Sequence, residues 1–352
     1  MNGIQNLLTR NRKFARILNA NPLTGTDHEE KERPLTRVLK SDIMTTDNNS
    51  LMKNVKSNYK TRFGKAYLGD TFELIKNIPD NSVNLIMTSP PFALRTKKEY
   101  GNVDPEKYVD WFMPFADEFF RVLTKDGSFV LDIGGGWNKG IPTRSLYQFE
   151  LLIKLCKKFH LAEEFIWYNP ARLPTPAEWV TIRRIRVKDA IDYIWWLSKT
   201  PNPKADNKKV LNPYSESMLN LLKNGYKAKL RPSGHNISKK FSVDNKGSIP
   251  ANLLSIANTE SNTKYLRLCG SHKLKPHPAR YPAKLPEFFI KFLTDKKDLV
   301  FDPFAGSNVT GEVAEKLGRR WIAFELREDY LKSSKFRFDL SQKKLNTFLI
   351  FQ

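Results

Sequence analysis

"DLVFDPFAGSNVTGEVAEKLGRRWIAFEL", residues 298–326, decides the fold. An apolar run ends at Asp302, a turn with one central glycine (Gly306) follows, helical spacing begins near residue 309, and a second apolar run ends at Glu325. This is a complete β-loop-α-β unit, and strands that are apolar throughout belong to a sheet buried on both faces. Open sheets of this kind bind ligands outside the carboxyl ends of their strands, which makes Asp302 to Gly311 a candidate binding loop. Glu325 ends the next strand about 20 residues on, a spacing that suits a ribose diol. The loop lacks GxGxxG. Its aromatic Phe304 and the helix start behind Asn308 suit a ligand carrying a carboxylate and a cationic sulfur better than a pyrophosphate. That describes S-adenosylmethionine.

Working outward, the same alternation recurs. "KAYLGD" (65–70) reads as a short strand ending at Asp70, "TFELIKNIP" as helical, and "SVNLIMTS" (82–89) as a buried strand. "PEKYVDWFMPFADEFFRVL" (105–123) is a long helix with an aromatic stripe, "SFVLDIGGG" (128–136) another buried strand, and "RSLYQFELLIKLCKKFH" helical again. "EEFIWYNP" and "AIDYIWWLSKT" read as strands. The pattern predicts α/β architecture with a parallel sheet covered on both faces. Residues 201–275 are rich in Lys, Asn, Ser, Pro and Gly with weak periodicity and read as a basic insert. The expected organisation is a flexible extension over 1–60, a catalytic half over 61–200, the insert, a cofactor half of the same domain over 276–340, and a tail over 341–352. The opening residues suggest a short amphipathic helix, or sequence ahead of a later start at Met44 or Met52.

"LIMTSPPFAL" (85–94) ends a strand in two prolines and an aromatic. An exocyclic amine on a nucleobase is a poor nucleophile because its lone pair is delocalised into the ring. Methylating it requires acceptors that draw off its N–H protons. Pro90 and Pro91 hold the chain extended so that backbone carbonyls can face a pocket. Ser89 adds a hydroxyl, and Phe92 offers a face on which a flipped base stacks.

These motifs resemble the amino-methyltransferases that act on DNA. "TSPPF" is similar to the catalytic motif in its N4-cytosine form, and "DPFAGSNVTG" to the cofactor motif; their order, with a basic insert between, resembles the permuted beta arrangement. "LGD", "FVLDIGG", "WYNP" and "HPARYPAKLPEFF" match as well, so the resemblance spans about residues 65–330. It implies a Rossmann-like S-adenosylmethionine-dependent methyltransferase sheet with helices on both faces and an inserted basic target-recognition region. It assigns Ser89, Pro90, Pro91, Phe92 and Asp132 to the target base. Asp70, Asp302, Phe304, Gly306, Asn308, Glu325 and Pro282 fall to the cofactor. Asn308 stands where many relatives carry a second glycine, and Asn tolerates a left-handed backbone. "TSPPFAL", "KEYGN", "RPSGHNI" and "GSIPANLL" look especially close to a restriction-system member that modifies the inner cytosine of CAGCTG.

Charge agrees with such a partner. Lys and Arg number 59 against 37 Asp and Glu, giving a net charge of +22 spread along the chain, and excess of this size answers a polyanion. Duplex DNA is the expected partner, with Arg183, Arg184 and Arg186 of "TIRRIRVKD" and Arg231, His235, Lys239 and Lys240 of "RPSGHNISKK" as candidate contacts. The two cysteines, Cys156 and Cys269, lack CxxC or Cys/His clustering, so neither a zinc site nor a disulfide framework is supported. Neither has the context of a carbon-5 nucleophile, which disfavours carbon methylation. No apolar run approaches a membrane span. The expectation is a cytoplasmic monomer on nucleoid DNA, protecting it from a partner endonuclease. An N6-adenine methyltransferase, an RNA methyltransferase and a non-catalytic DNA-binding regulator remain as alternatives.

Overall fold

The computed structural model describes residues 51–52, 55–93, 102–225, 243–259 and 264–338. Readings made for residues 1–50 and for the tail beyond 338 fall outside them. All described residues belong to one compact unit, Asp47–Gln352.

In chain order the elements are β1 (Tyr59–Lys60), β2 (Gly64–Leu68), α1 (Thr71–Leu74), β3 (Val83–Thr88), α2 (Pro105–Val122), β4 (Leu123–Ile133), α3 (Tyr147–Leu155), β5 (His160–Tyr168) and β6 (Ile191–Ser198). They continue with α4 (Glu216–Asn224), β7 (Leu253–Ser255), α5 (Lys264–Ser271), α6 (Lys284–Leu293), β8 (Leu299–Asp302), α7 (Val309–Lys316), β9 (Arg320–Glu325) and α8 (Glu328–Ser334). One nine-stranded sheet takes the order β1-β2-β9-β8-β3-β4-β6-β5-β7.

The strands from β2 to β4 in that order are mutually parallel, as the sequence pattern predicts. Beyond β4 the sheet departs from it: β6 runs antiparallel to both β4 and β5. The reason lies in the connection. Residues 169–190 hold only one short helical turn, Glu178–Ile182, and no crossover helix, so the chain returns against itself. β7, from the stretch read as an insert, pairs parallel to β5 at the sheet edge.

Side chains alternate across the central strands. Ile86, Phe129 and Leu131 enter the core beneath the aromatic stripe of α2, which buries Tyr108, Phe112 and Phe119. Leu85, Met87 and Val130 enter a second core with Leu285, Phe289 and Ile290 of α6 and with α7. Both faces are covered, which is why these strands read as unbroken apolar runs.

From β3 the chain winds to β4 on one side, and from β8 to β9 on the other. The adjoining carboxyl ends of β3 and β8 therefore form a switch point.

Candidate active site

A cavity of about 620 Å³ opens at that switch point. The diproline segment and the glycine turn both line it, joined beneath by Thr88 Oγ1, which donates to Asp302 Oδ1 at 2.7 Å. Asp70, Ser89, Pro90, Pro91, Phe92, Asp132, Asp302, Phe304, Gly306 and Glu325 share this one cavity.

The half that resembles a cofactor site is built on the β8–α7 turn. Gly306 adopts φ +52, a conformation that favours glycine, and a Cβ there would press on the His277 ring at 3.1 Å. Its N–H donates to Glu325 Oε2 at 2.8 Å, while Glu325 Oε1 accepts from the Arg327 N–H at 2.8 Å. Burial pushes the Glu325 carboxyl up to about 7, and these two backbone donors hold the rise back. Asp302 is pushed up to about 6 by burial, opposed by the hydroxyls of Thr310 and Thr88. Phe304 packs against Trp111 and Phe115, at 6.1 and 5.3 Å between ring centroids. Asp70 caps α1 by accepting from the Phe72 N–H at 2.8 Å.

The other half lies at the ends of β3, β4 and β6. Asp132 is 2% exposed, and its Oδ1 has no hydrogen-bond partner within the protein. Burial drives its carboxyl well above the usual carboxylate range, and the neighbouring Asp192 adds to the rise. The Ser89 hydroxyl and the Arg172 guanidinium oppose it. Arg172 grips Asp192 side-on, Nη1 to Oδ1 at 3.1 Å and Nη2 to Oδ2. Phe92 lies over Gly134, where a Cβ would stand 2.5 Å from Phe92 Cε2; glycine is what lets the ring seat against β4. A buried acceptor without a partner, beside a hydroxyl and an aromatic face, is a site made for a planar ligand with N–H donors.

Two residues expected at the cofactor, Asn308 and Pro282, lie outside the cavity lining. Asn308 does adopt a left-handed backbone, φ 58 and ψ 45, but its side chain turns inward. Its Oδ1 accepts from the Gly311 N–H at 3.1 Å, and its Nδ2 donates to the Tyr59 hydroxyl at 2.9 Å. It caps α7 and does not line the cavity; Ser307 and Val309 do. Pro282 is buried outside the lining and its carbonyl accepts from the Leu285 N–H, so it starts α6, and residues 277–281 just before it line the cavity instead. The Pro91 carbonyl accepts from the Tyr108 hydroxyl at 2.9 Å, which fixes the diproline to α2, and Pro90 and Pro91 both line the cavity together with Ser89, Asp132, Arg172 and Asp192.

Arg183, Arg184 and Arg186 are exposed on the excursion between β5 and β6. Arg231, His235, Lys239 and Lys240 lie outside the described residues. Among the described residues no group of His, Cys, Asp and Glu suits a metal, and no helix is long and apolar enough to cross a membrane. Sequence reasoning missed Arg172, Asp192 and Trp111 as cavity residues. Asp192 was discoverable as the lone acid in the apolar run "AIDYIWW".

Fold and site together define an open-sheet α/β protein with its ligand crevice at the strand carboxyl ends. Residues 83–336 match the family described as DNA methylase. The type II methyltransferase M.PvuII of Proteus hauseri is 51% identical over 313 residues, covering 86% of this chain and 93% of the relative. The DNA adenine methyltransferase YhdJ of Escherichia coli K12 is 26% identical, covering 80% of this chain and 86% of the relative. The solved PvuII DNA methyltransferase (cytosine-N4-specific) superposes with a TM-score of 0.68 at 46% identity, over 84% of this chain and 94% of that one. The chain belongs to this family of DNA methylases.

Proposed function

We propose that the protein transfers a methyl group from S-adenosylmethionine to N4 of a cytosine everted from duplex DNA. The observation that carries this reading is the unpartnered Asp132 Oδ1, buried beside Ser89 and Phe92 in the cavity that also holds Gly306 and Glu325. The donor, when bound, supplies an electrophilic methyl on a cationic sulfur. Glu325 is suited to a ribose diol and Asp70 to an adenine edge, with Phe304 covering the methionine part. Phe92 stacks on the everted base. Ser89 Oγ and Asp132 Oδ1 accept the two N–H protons of the amine, which turns its lone pair toward the donor. Asp132, a stronger base for its raised pKa, takes the proton that the amine sheds on methylation.

The similarity to a cytosine-N4-specific enzyme and the "TSPPF" form of the motif favour cytosine over adenine. The proposed target is the inner cytosine of CAGCTG. The proposed role is protection of DNA from a partner endonuclease, performed as a cytoplasmic monomer. Within the proposed organisation, residues 201–275 and Arg183, Arg184 and Arg186 face the DNA.

Transfer of radiolabelled methyl followed by nucleoside analysis tests the base: N4-methylcytosine is expected, and 5-methylcytosine or N6-methyladenine as sole product defeats the assignment. Methylome sequencing of cells expressing the chain reports the site, and modification confined to sequences other than CAGCTG overturns that part.

A further inference from the structure

The two most exposed large apolar side chains among the described residues are Val187, at 87%, and Leu173, at 75%. Both lie on the excursion that leaves the end of β5 and returns at β6, Leu173 next to the cavity residue Arg172 and Val187 next to a lysine that bonds to the Arg172 carbonyl. Leu173 directly follows Arg172, which lines the cavity. Val187 directly precedes Lys188, whose Nζ donates to the Arg172 carbonyl at 3.3 Å and to the Pro170 carbonyl at 3.1 Å. The two stems of the excursion are joined where they rise: Asn169 N–H to Ala190 O at 2.8 Å, and Asp189 N–H to Thr175 O at 3.0 Å. β5 ends on the same sheet edge as β3, β4 and β8, so the excursion leaves the sheet on the side where the cavity opens, with Arg172 in the cavity lining.

Leaving such side chains in water forgoes the gain of burying them, and contiguous exposed apolar patches mark contact surfaces. The surroundings specify the partner. Arg183, Arg184 and Arg186 interleave with Ile182, Ile185 and Val187, all exposed, so the surface alternates cations with aliphatic groups. The excursion is braced against the rest of the protein. Arg186 donates to the Pro142 carbonyl at 2.8 Å, and Asp189 is paired with Arg144. A braced, cationic surface with aliphatic tips fits a nucleic-acid duplex, whose phosphates take the cations and whose base stack takes the tips.

Everting a base leaves a gap in the stack, and apolar side chains are known to enter such base steps. We propose that Leu173 and Val187 form a wedge that enters the duplex and fills the space vacated by the everted base, while Arg183 and Arg184 hold the flanking phosphates. The inference rests on the methyltransferase reading above and adds the residues that hold the base out.

The test uses the full chain with Leu173→Ser and Val187→Ser combined. Both positions are solvent-exposed, so the polar replacements leave the core intact, which thermal unfolding checks. Methyl transfer is measured on two duplexes, one fully paired and one with the target cytosine opposite an abasic site, where no partner has to be released. On paired DNA kcat/KM is expected to fall about tenfold, and on the abasic duplex to stay within about twofold of wild type. Equal loss on both duplexes, or no loss on either, overturns the wedge while leaving the enzyme reading intact. No transfer by the wild-type chain to either DNA overturns the enzyme reading and the wedge with it.

Discussion

Asp132 and Asp192 stand on neighbouring antiparallel strands and line one cavity, and the Arg172 guanidinium is hydrogen-bonded to Asp192 alone of the two. One carboxylate is therefore neutralised while the other keeps an open acceptor atom. The pair divides the work: Asp192 holds the arginine, and Asp132 is left basic.

Asp192→Asn removes a negative neighbour that raises Asp132 and frees Arg172 to face it. Both changes lower the Asp132 pKa. Since the ionised form accepts the amine proton, activity persists to lower pH in the variant, and turnover at the plateau falls because the base is weaker. A pH profile of single-turnover methyl transfer reads both effects. An acid limb that stays put or moves upward removes Asp192 from this role.

Ser89 offers a different signature. Its hydroxyl touches the base half of the cavity and not the glycine turn. Ser89→Ala is expected to lower kcat about tenfold, the worth of one well-aligned hydrogen bond, with the affinity for S-adenosylhomocysteine within about twofold of wild type. Calorimetric titration beside steady-state kinetics separates the two, and parallel losses count against the assignment.

From the raised Glu325 carboxyl, binding of the donor is expected to depend on pH. That carboxyl is pushed from an ordinary 4.5 up to about 7, and a ribose diol donates to the ionised form. Affinity for S-adenosylhomocysteine is expected to rise between pH 6 and 8, spanning about one unit on each side of that value, and Glu325→Gln flattens the dependence. Stability of the ligand-free protein runs the other way. A raised acid contributes stability that is complete below 4.5 and is lost as pH climbs to about 7. Opposite slopes for binding and stability identify the group; a binding curve indifferent to pH in the wild type excludes it.

Much of this architecture was legible in the sequence because it depends on local patterns. Unbroken apolar runs gave the parallel strands, and the single glycine before a helical period gave the β8–α7 turn. Legibility stopped where chain reversal or distance decides. The reversal of β6 depends on what residues 169–190 do not contain, and "IDYIWWLS" carries no mark of its direction. Arg172 and Asp192 are 20 residues apart, and only the folded hairpin brings guanidinium and carboxylate together. Asn308, expected at the cofactor, lies outside the cavity lining for a related reason. Its neighbours in the chain face the cavity, and sequence alone does not say which way a left-handed residue turns its side chain.

That inward placement yields a sharp test. Asn308 combines a left-handed backbone, a helix cap on Gly311 N and a bond to the Tyr59 hydroxyl, which keeps its second partner in Ser334 at 2.7 Å. Asn308→Ala places a Cβ-bearing residue without a polar side chain in a backbone that costs about 1–2 kcal/mol, and removes a cap worth about 1. The loss expected in chemical denaturation is about 2–3 kcal/mol. Asn308→Gly relieves the backbone cost and is expected to lose about half as much. Neither variant alters S-adenosylhomocysteine affinity where the protein is folded, because the side chain does not reach the cavity. Should Asn308→Ala keep its stability and lose affinity instead, Asn308 belongs to the ligand and the inward orientation is wrong.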